Sequence, residues 1–404
     1  MRKPKWLMLV AMLSALSLVA AACGGGDDGD EDGGDAAGGD QQTCEWVIGT
    51  MGALSGDAAS LGRPIAQGVE FAVNQANEDG ELPCKLKYME EDSQGDPTQA
   101  PALAEKLAGT ENLVFCACPY FSGETLATGD IFGAAGIAIS GTGTNETIDE
   151  QGYPTWHRAV APDNIQAEVA AAYIESGLKA QTTAVVHDNQ DYSKGLADAV
   201  KENLGDAAEG PFIINPEETD FSSVVEQVAQ VDPDVVFYGG YTPEAGPLLK
   251  QLREAGVDAT FLSDDGSKDP TFGGLAGAAN AEGAFVTCPC ADPLKIDAAQ
   301  EFVDGMQEEF GKNAPGTFAA DVYDVTAMVI EGLKDYEGDP EDITAVREYV
   351  VGIFDEANYE GVAKTYSWEE SGEFVGGPED IWIYEGSNED ENFVSVGPAS
   401  ELIE

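Results

Sequence analysis

Residues 47–62 read VIGTMGALSGDAASLG, and this stretch decides the fold. A short apolar run ends at Gly49, a loop of small and polar residues follows, and a long helical pattern begins near Leu61. This order predicts a strand, a loop at its carboxyl end and a helix. In open α/β sheets, such loops line the ligand crevice.

The rest of the chain repeats that unit. Further strands are predicted at residues 85–89, 113–118, 137–139, 183–187, 212–214, 235–238, 260–262 and 283–286. Helices are predicted at residues 61–77, 97–107, 165–174, 195–204, 221–228, 244–255, 298–310, 318–334 and 341–351, with a loop at 188–194. The alternation indicates βαβ units. Two runs of such units fit two doubly wound parallel-sheet domains of the α/β class better than one large sheet.

The first 23 residues are predicted to be an export signal. Three basic residues precede an apolar run at residues 6–19, and Ala20-Ala21-Ala22-Cys23 follows. The run is short for a spanning helix and fits a signal peptide. Small residues directly before Cys23 resemble a bacterial lipobox, although Ala20 stands where Leu is usual. We therefore expect lipidation of Cys23 and attachment to the outer face of the bacterial cell membrane, with ordinary signal cleavage as the alternative.

Residues 24–43 are predicted to be a disordered acidic tether. This segment is rich in Gly and Asp, carries seven acidic residues and has no apolar side chain larger than Ala. Such a composition cannot bury enough apolar surface to offset the entropy of ordering.

The charge balance excludes one class of function. The chain has 75 acidic residues against 19 Lys and Arg, a formal net charge of −56. Nucleic-acid binding needs a basic surface, so we expect no nucleic-acid partner. The roughly 360 residues after the tether suit two domains better than one.

Six cysteines remain after Cys23, and an exported protein favours disulfides. Cys44 and Cys84 open adjacent predicted strands, so we predict a bridge between them. The other four form two C-x-C pairs, Cys116 with Cys118 and Cys288 with Cys290. A Cys₄ zinc site is one interpretation, but zinc ligands usually follow C-x₂₋₄-C spacing. Disulfides or partly free thiols fit the spacing better, and the sequence leaves the pairing open.

Enzyme signatures are weak in this chain. Its two histidines, His157 and His187, fall in no G-x-S-x-G or H-E-x-x-H motif, and Gly141-Thr142-Gly143-Thr144 lacks the third glycine of a dinucleotide fingerprint. We expect neither catalysis nor a cofactor.

The predicted loops instead suit a small zwitterion. Ser122 and Thr144 offer hydroxyls and backbone amides at strand-to-helix turns, where a carboxylate is held well. Asp264 and Asp265 follow another strand, and one of them could pair with a ligand ammonium. Tyr192 and Tyr241 could close over an aliphatic side chain. Taken singly, Ser122 could be a helix cap, Asp265 a turn residue and Tyr192 a packing residue.

At these loops the sequence resembles the leucine/isoleucine/valine-binding family, the type I solute-binding proteins of branched-chain amino acid transporters. The likeness covers most of residues 44–366 and is carried by the segments IGTMGALSGDAASLG, EEDSQGDPTQA, ISGTGTNETI, VVHDNQDYSKGLA, TDFSSVV and VVFYGGYTPEAGPLLKQLREAG. The resemblance implies a Venus-flytrap with two lobes, three crossovers and an interlobe ligand. It also implies a monomeric component of an ABC importer that meets a membrane permease. We expect lobes at residues 44–160 plus 289–368 and 161–288 plus 369–404.

The resemblance also assigns roles to residues. Ser122 looks like the serine that binds the α-carboxylate, and Gly143 and Thr144 look like the pair that contacts both carboxylate and ammonium. Asp265 occupies the acidic position for the ammonium, with Asp in place of Glu. The aromatic contacts with the ligand side chain correspond to Tyr192, Tyr241 and Phe318.

Two departures from the family pattern leave the ligand open. Leu61 stands where leucine binders often have an aromatic residue, and Tyr120 and Phe121 stand where smaller side chains usually precede Ser122. A branched-chain or other aliphatic amino acid is the first expectation, and aromatic amino acids, amides or urea are the alternatives. A ligand-sensing receptor subunit of the same fold is an alternative to the transporter component.

Overall fold

The computed structural model describes residues 44–216, 218–387 and 392–403. The predicted signal peptide, the tether and Cys23 lie outside these residues. Within them, no helix is both long and apolar enough to cross a bilayer.

The first sheet belongs to the first lobe and is entirely parallel. Its strands are β1 (Cys44–Gly52), β2 (Cys84–Asp92), β3 (Leu113–Ala117), β4 (Ala138–Gly141) and β5 (Trp156–Arg158). Among the described residues their spatial order is β2-β1-β3-β4-β5. The inner strand β3 is buried along its whole length, as expected for a parallel strand covered on both faces. The edge strand β2 reads CKLKYMEED, and its charges suit an exposed edge.

The second sheet belongs to the second lobe. Its strands are β6 (Thr183–His187), β7 (Ala208–Ile213), β8 (Val235–Gly239), β9 (Thr260–Ser263), β10 (Phe285–Cys288), β13 (Trp382–Ser387) and β14 (Asn392–Pro398). A separate short hairpin pairs β11 (Tyr359–Glu360) with β12 (Thr365–Tyr366). Among the described residues the order is β14-β13-β10-β9-β8-β6-β7, in which β13 is antiparallel to both of its neighbours, β10 and β14, and the other pairings are parallel. The chain thus enters the second sheet after β5, leaves it after β10 and returns before β13.

Helices cover the sheets as the periodicity predicts. They are α1 (Ala59–Asp79), α2 (Ala100–Ala108), α3 (Ser122–Ala134), α4 (Asp163–Ala172), α5 (Asp191–Leu204), α6 (Ser222–Val231), α7 (Thr242–Glu254), α8 (Phe272–Ala276), α9 (Ala278–Ala281), α10 (Gln300–Phe310), α11 (Ala319–Lys334) and α12 (Ile343–Asp355). Close packing of α1 on α11 depends on Gly68, where a Cβ would lie 2.3 Å from the Ala319 carbonyl oxygen. The fold is therefore the predicted α/β arrangement of parallel sheets in two lobes. The exact lobe boundaries stay a prediction.

Two local predictions need correction. The segment 188–194 is not wholly a loop, because α5 begins at Asp191, an acidic first residue that suits the positive end of the helix. Similarly, α2 begins at Ala100 rather than at Pro97.

The cysteines form three disulfides within the described residues. Cys44 and Cys84 are bridged as predicted, and they are opposite each other in the register of β1 and β2. Each C-x-C pair forms its own bridge, Cys116 with Cys118 and Cys288 with Cys290. The zinc interpretation was wrong, because these thiols are consumed and no other suitable cluster of His, Cys, Asp or Glu occurs in the described part of the chain.

Candidate functional site

A small cavity lies where the carboxyl ends of strands from both lobes meet. It is lined by Leu61, Tyr120, Phe121, Ser122, Thr142, Thr144, Tyr192, Tyr241, Asp265 and Phe318. Nine of these ten residues are those that the sequence predicts. Gly143 does not border the cavity, and Thr142 was missed. The predicted site residues from distant parts of the chain therefore converge on one place.

The first lobe supplies hydrogen-bond donors at one end of the cavity. Ser122 is the first residue of α3, and its Oγ accepts hydrogen bonds from the backbone N–H groups of Thr144 and Asn145, each at 3.1 Å. With its oxygen accepting two bonds, the Ser122 hydroxyl proton is left to donate. The start of α3 also carries the positive end of the helix dipole. Together these groups suit a carboxylate.

Arg158 holds the loop that carries those amides. Its guanidinium is fully buried and donates to the carbonyl oxygens of Gly143 and of Asn145, the latter at 3.1 Å. In a trans peptide the carbonyl of one residue points opposite to the next N–H. The bond to Gly143 therefore turns the Thr144 N–H towards Ser122. Gly143 thus contributes its carbonyl to Arg158, and Arg158 is a positioning residue that the sequence analysis did not identify.

Glu373 completes the surroundings of that arginine. Its two carboxylate oxygens accept from Nε and Nη2 of Arg158 at 2.8 and 2.9 Å. Glu373 lies in the segment by which the chain returns to the second lobe, so the ion pair joins that crossover to the 143–145 loop. Nothing in the local sequence connects residues this far apart.

The second lobe supplies a carboxylate to the cavity, that of Asp265. Asp264 and Asp265 directly follow β9, and both are buried. Asp265 Oδ1 accepts from the Tyr192 hydroxyl at 2.8 Å, and Asp264 Oδ2 accepts from the Gly240 N–H at 2.8 Å. Burial raises the pKa of Asp265 to about 6, against the hydrogen bond from Tyr192. A cationic group placed here would recover the cost of burying these charges.

Aromatic rings from both lobes form part of the cavity wall. The ring of Phe121 in the first lobe lies 5.0 Å from that of Tyr241 in the second, and Tyr241 lies 5.2 Å from Tyr192. Asn145 reinforces this contact between lobes, because its Nδ2 donates to the Asp191 carbonyl at 2.7 Å. The structure is therefore a closed form, with its apolar wall built from both lobes.

Phe318 holds its place in the cavity lining with a backbone conformation that is unusual for a non-glycine residue. It directly precedes α11 and has φ of 61°. The left-handed region costs an L-residue on the order of 1 kcal/mol, so the surrounding structure must fix it.

Tyr120 explains one departure from the family pattern. Its ring lies against Gly52, where a Cβ would come within 1.8 Å of the ring, and its hydroxyl is 2.5 Å from the Thr50 Oγ1. Thr142, the residue that was missed, fixes the same tyrosine by donating to its carbonyl oxygen at 2.7 Å. The cavity that remains has a volume of ≈ 10 Å³. The ring of Tyr120 is thus held in one position in the cavity lining, and its size reduces the volume of the site.

Two further buried carboxyls near the site were also missed. Glu124 accepts from the Phe121 N–H at 3.1 Å, and burial raises its pKa to about 7. Asp163 is the first residue of α4, and its N–H donates to the Thr144 carbonyl at 2.9 Å. An acid in the first turn of a helix is common, so the sequence offered no signal that would separate Asp163 from an ordinary helix start.

Comparison with known proteins agrees with this geometry. The family model described as periplasmic binding protein matches residues 45–373. The Leu/Ile/Val-binding protein of Escherichia coli strain K12 is 32% identical over 337 residues, covering 81% of this chain and 88% of that protein. The Leu/Ile/Val/Thr-binding protein of Salmonella typhimurium is 31% identical over 336 residues, with the same coverage of 81% and 88%.

A solved structure supports the fold. The branched-chain amino acid transporter substrate binding protein LivJ from Streptococcus pneumoniae, in complex with isoleucine, superposes with a TM-score of 0.76 at 21% identity. The match covers 87% of this chain and 99% of that one. With a family model matching most of its length and relatives above 30% identity, this chain belongs to the periplasmic binding protein family.

Proposed function

We propose that this protein is the extracytoplasmic substrate-binding component of an ABC importer and that it captures a small zwitterion between its lobes. A branched-chain or other aliphatic amino acid is the proposed ligand. One observation carries the proposal: a single cavity is lined by the Ser122 hydroxyl of one lobe, by Asp265 of the other lobe and by apolar and aromatic side chains. That arrangement matches the carboxylate, the ammonium and the side chain of an amino acid.

The proposed mechanism is binding and delivery rather than catalysis. In the open form the ligand carboxylate meets the hydroxyl of Ser122, with Thr144 of the first lobe beside it. Closure brings Tyr192, Tyr241 and Asp265 onto the ligand, and these added contacts favour the closed form. A membrane permease would then recognise the closed pair of lobes. The names of the relatives and the family membership support this reading over a receptor subunit.

The test is a thermal-shift screen of the purified protein at high salt against amino acids, amides and urea. A ligand that binds only the native state raises the melting temperature. We expect a rise in melting temperature with aliphatic amino acids. Asp265→Ala should weaken the free energy of ligand binding by roughly 2–5 kcal/mol, since one partner of a buried charged pair is lost. Asp206→Ala, at an exposed acid, is the matched control and should leave affinity unchanged.

The outcomes separate the alternatives. Unchanged affinity in Asp265→Ala would overturn the role of Asp265. A hit only for urea or an amide, which lack an α-ammonium, would keep the class of protein and replace the ligand. No hit among any of these compounds would count against the transporter assignment and favour a different role for the fold.

We also propose that Cys23 is lipidated and anchors the protein to the outer face of the cell membrane. The small residues before Cys23 and the acidic stretch after it support this reading. Cys23→Ala should move the protein from the membrane fraction into the soluble extracytoplasmic fraction. Retention of that variant in the membrane fraction would contradict the lipid anchor.

A further inference from the structure

A second, larger cavity lies next to the small cavity described above, the ligand cavity, and is lined by elements of both lobes. Its volume is ≈ 830 Å³. Small-molecule sites usually measure about 300–1,000 Å³. The lining includes Arg63 on α1 of the first lobe, Lys268 after β9 of the second lobe, and Lys312 between α10 and α11. Thr317 borders this second cavity, and the next residue, Phe318, borders the ligand cavity. We refer to the second cavity as the basic cavity.

The charge of the basic cavity is opposite to that of the chain. After residue 43 the sequence has 68 acidic residues and only 16 Lys and Arg. Three of these cations line the basic cavity, and Asp292 is the one acid among the described residues of its lining. The charged residues that line another cleft, of ≈ 800 Å³, are all acids: Asp57, Asp96, Glu218 and Glu244. A basic concave surface on so acidic a protein concentrates anions.

Lys268 is a half-buried cation without a carboxylate at ion-pair distance among the described residues. Its Nζ lies 3.2 Å from the Thr317 hydroxyl and 4.2 Å from the centre of the Tyr384 ring. The Thr317 hydroxyl donates to the Lys268 carbonyl at 2.8 Å, so it can accept from Nζ. An ammonium has three donors, and the other two remain for an anion in the basic cavity.

The acids around Lys268 are engaged elsewhere. Burial lowers the pKa of Lys268 to about 8, and three aspartates act against this shift. Of these, Asp292 accepts from a backbone N–H of the helical turn that follows it, and Asp321 is paired with Lys364 at 2.8 Å. The third, Asp265, borders the ligand cavity. An anion bound beside Lys268 would therefore compensate a charge that the protein compensates only in part.

The other two cations also have donors available. Nε of Arg63 donates to the Leu54 carbonyl at 2.6 Å, and its Nη1 lies 3.8 Å from Glu90. Lys312 is exposed and makes no ion pair within the part of the chain that the structure describes. With Asp292 counted against the three cations, the lining has an excess of two positive charges. That excess matches a dianion.

Apolar surface lies among these charges. Pro64, Leu294, Phe310 and Tyr384 also line the basic cavity, and Leu294 is 61% exposed. An inorganic anion would leave this apolar surface in water, whereas a ligand with a hydrocarbon body would cover it. Carboxylates form charge-assisted hydrogen bonds with Arg and Lys. The lining therefore suits an organic anion better than a bare phosphate or sulfate.

We infer that the basic cavity is a second binding site, separate from the ligand cavity, and that it takes a small organic dianion with two carboxylates. Arg63, Lys268 and Lys312 bind the carboxylates, and the apolar residues of the lining cover the hydrocarbon body. Because both lobes line the basic cavity, the bound dianion contacts both. This inference does not depend on the proposed function.

The test is isothermal titration calorimetry of the purified protein with phthalate, an aromatic dicarboxylate, at a pH near 7, where carboxylates are ionised and lysines protonated. We expect saturable binding of one phthalate per protein. Raising NaCl from roughly 0.15 M to about 1 M should weaken it, because the Debye length falls from about 8 to about 3 Å. Inorganic phosphate, a probe without a hydrocarbon body, should bind more weakly.

Variants locate the bound phthalate. Lys268→Gln should weaken phthalate binding by about tenfold or more, because a half-buried charge partner is lost. Lys312→Gln, at an exposed residue whose replacement does not endanger folding, should weaken it by about two- to fivefold. Lys250→Gln, at an exposed lysine on α7 outside the lining, is the matched control and should bind phthalate like the unmodified protein.

The outcomes separate the parts of the inference. Equal affinity for phthalate in Lys268→Gln, Lys312→Gln and the unmodified protein would place phthalate elsewhere and overturn the site. Phosphate binding as tightly as phthalate would overturn the organic class of ligand. Absence of saturable heat with either probe, in a protein with a normal melting transition, would overturn the inference as a whole. The proposed function is tested separately, with amino acids and Asp265→Ala.

Discussion

The molecule buries charged side chains in two neighbouring regions. In one region these side chains are paired within the protein, and in the other some of their oxygens are unpaired. Around the crossovers, Arg158 pairs with Glu373, and Lys364 lies 2.8 Å from Asp321. Nearby, Asp324 accepts from the backbone N–H groups of Val362 and Ala363 and from the Tyr366 hydroxyl. Asp163, Asp264 and Asp265, the site carboxylates, are as deeply buried, yet oxygens of Asp163 and Asp264 have no hydrogen-bond partner in the described part of the chain.

The difference separates structure from function. Paired charges at the crossovers specify how the segments between the lobes meet, and each has an oppositely charged partner within the protein. Unpaired charges at the cavity cost stability in the ligand-free protein, and a binding site accepts that cost when the ligand provides the partner. A buried carboxylate that has a partner within the protein therefore indicates a structural role. A buried carboxylate at the cavity without such a partner indicates a role in binding.

The largest expected effect on stability comes from removing one partner of the ion pair between Arg158 and Glu373. Arg158→Met should lower the free energy of unfolding by about 3 kcal/mol or more, because it leaves the half-buried Glu373 without its cation and leaves the carbonyls of Gly143 and Asn145 without their donor. Urea denaturation followed by circular dichroism measures the loss. The double variant Arg158→Met/Glu373→Gln should recover part of it.

Arg347 offers a matched control. Its guanidinium donates to the carbonyls of Leu113, Ala135 and Thr110, but it has no carboxylate partner among the described residues. Arg347→Met should therefore cost less than Arg158→Met. Equal losses would mean that the carbonyl bonds, and not the ion pair, stabilise the crossover.

A smaller effect of opposite sign is expected at the site carboxylates. A carboxyl whose pKa is raised by folding stabilises the native state at low pH, and that contribution is lost as pH rises from the unfolded value of 3.8 through the raised one. The slope is up to about 1.4 kcal/mol per pH unit for one group. Asp163→Asn should flatten this decline, so that the ligand-free variant is more stable than the unmodified protein at pH 8 and similar to it at low pH.

Asp324→Asn, at a buried carboxylate that has hydrogen-bond partners, is the comparison for Asp163→Asn. The pKa of Asp324 is also raised, to about 7, by burial, but its carboxylate accepts hydrogen bonds from two backbone N–H groups. An asparagine presents an N–H₂ group to one of those donors, so this variant should be less stable at every pH. Thermal unfolding of both ligand-free variants at several pH values compares them. Stabilisation by Asp324→Asn at pH 8 would remove the distinction between the two regions.

Much of the fold follows from local sequence. The 3.6-residue pattern that begins near Leu61 predicts α1, and the apolar run at residues 113–118 predicts β3, because periodicity and burial reflect which faces must leave water. The ends of elements were less certain. The predicted start of α5 at Gly195 was wrong, since the helix begins at Asp191 and capping depends on the conformation of the preceding turn. Ser122, Thr144 and Asp265 could be predicted because loops at strand carboxyl ends face the crevice, and because the family resemblance aligned them.

By itself, the sequence determined that this protein is strongly acidic and built from βαβ units, it predicted export, and it singled out nine of the residues that line the cavity. These properties depend on composition, periodicity and short motifs. Only the tertiary structure decided that Arg158 meets Glu373, that Tyr120 lies on Gly52 and that Asp163 joins Asp264 and Asp265. The physical reason is that pairing, close packing and loss of solvent are relations between groups distant in the chain, and no local pattern encodes them.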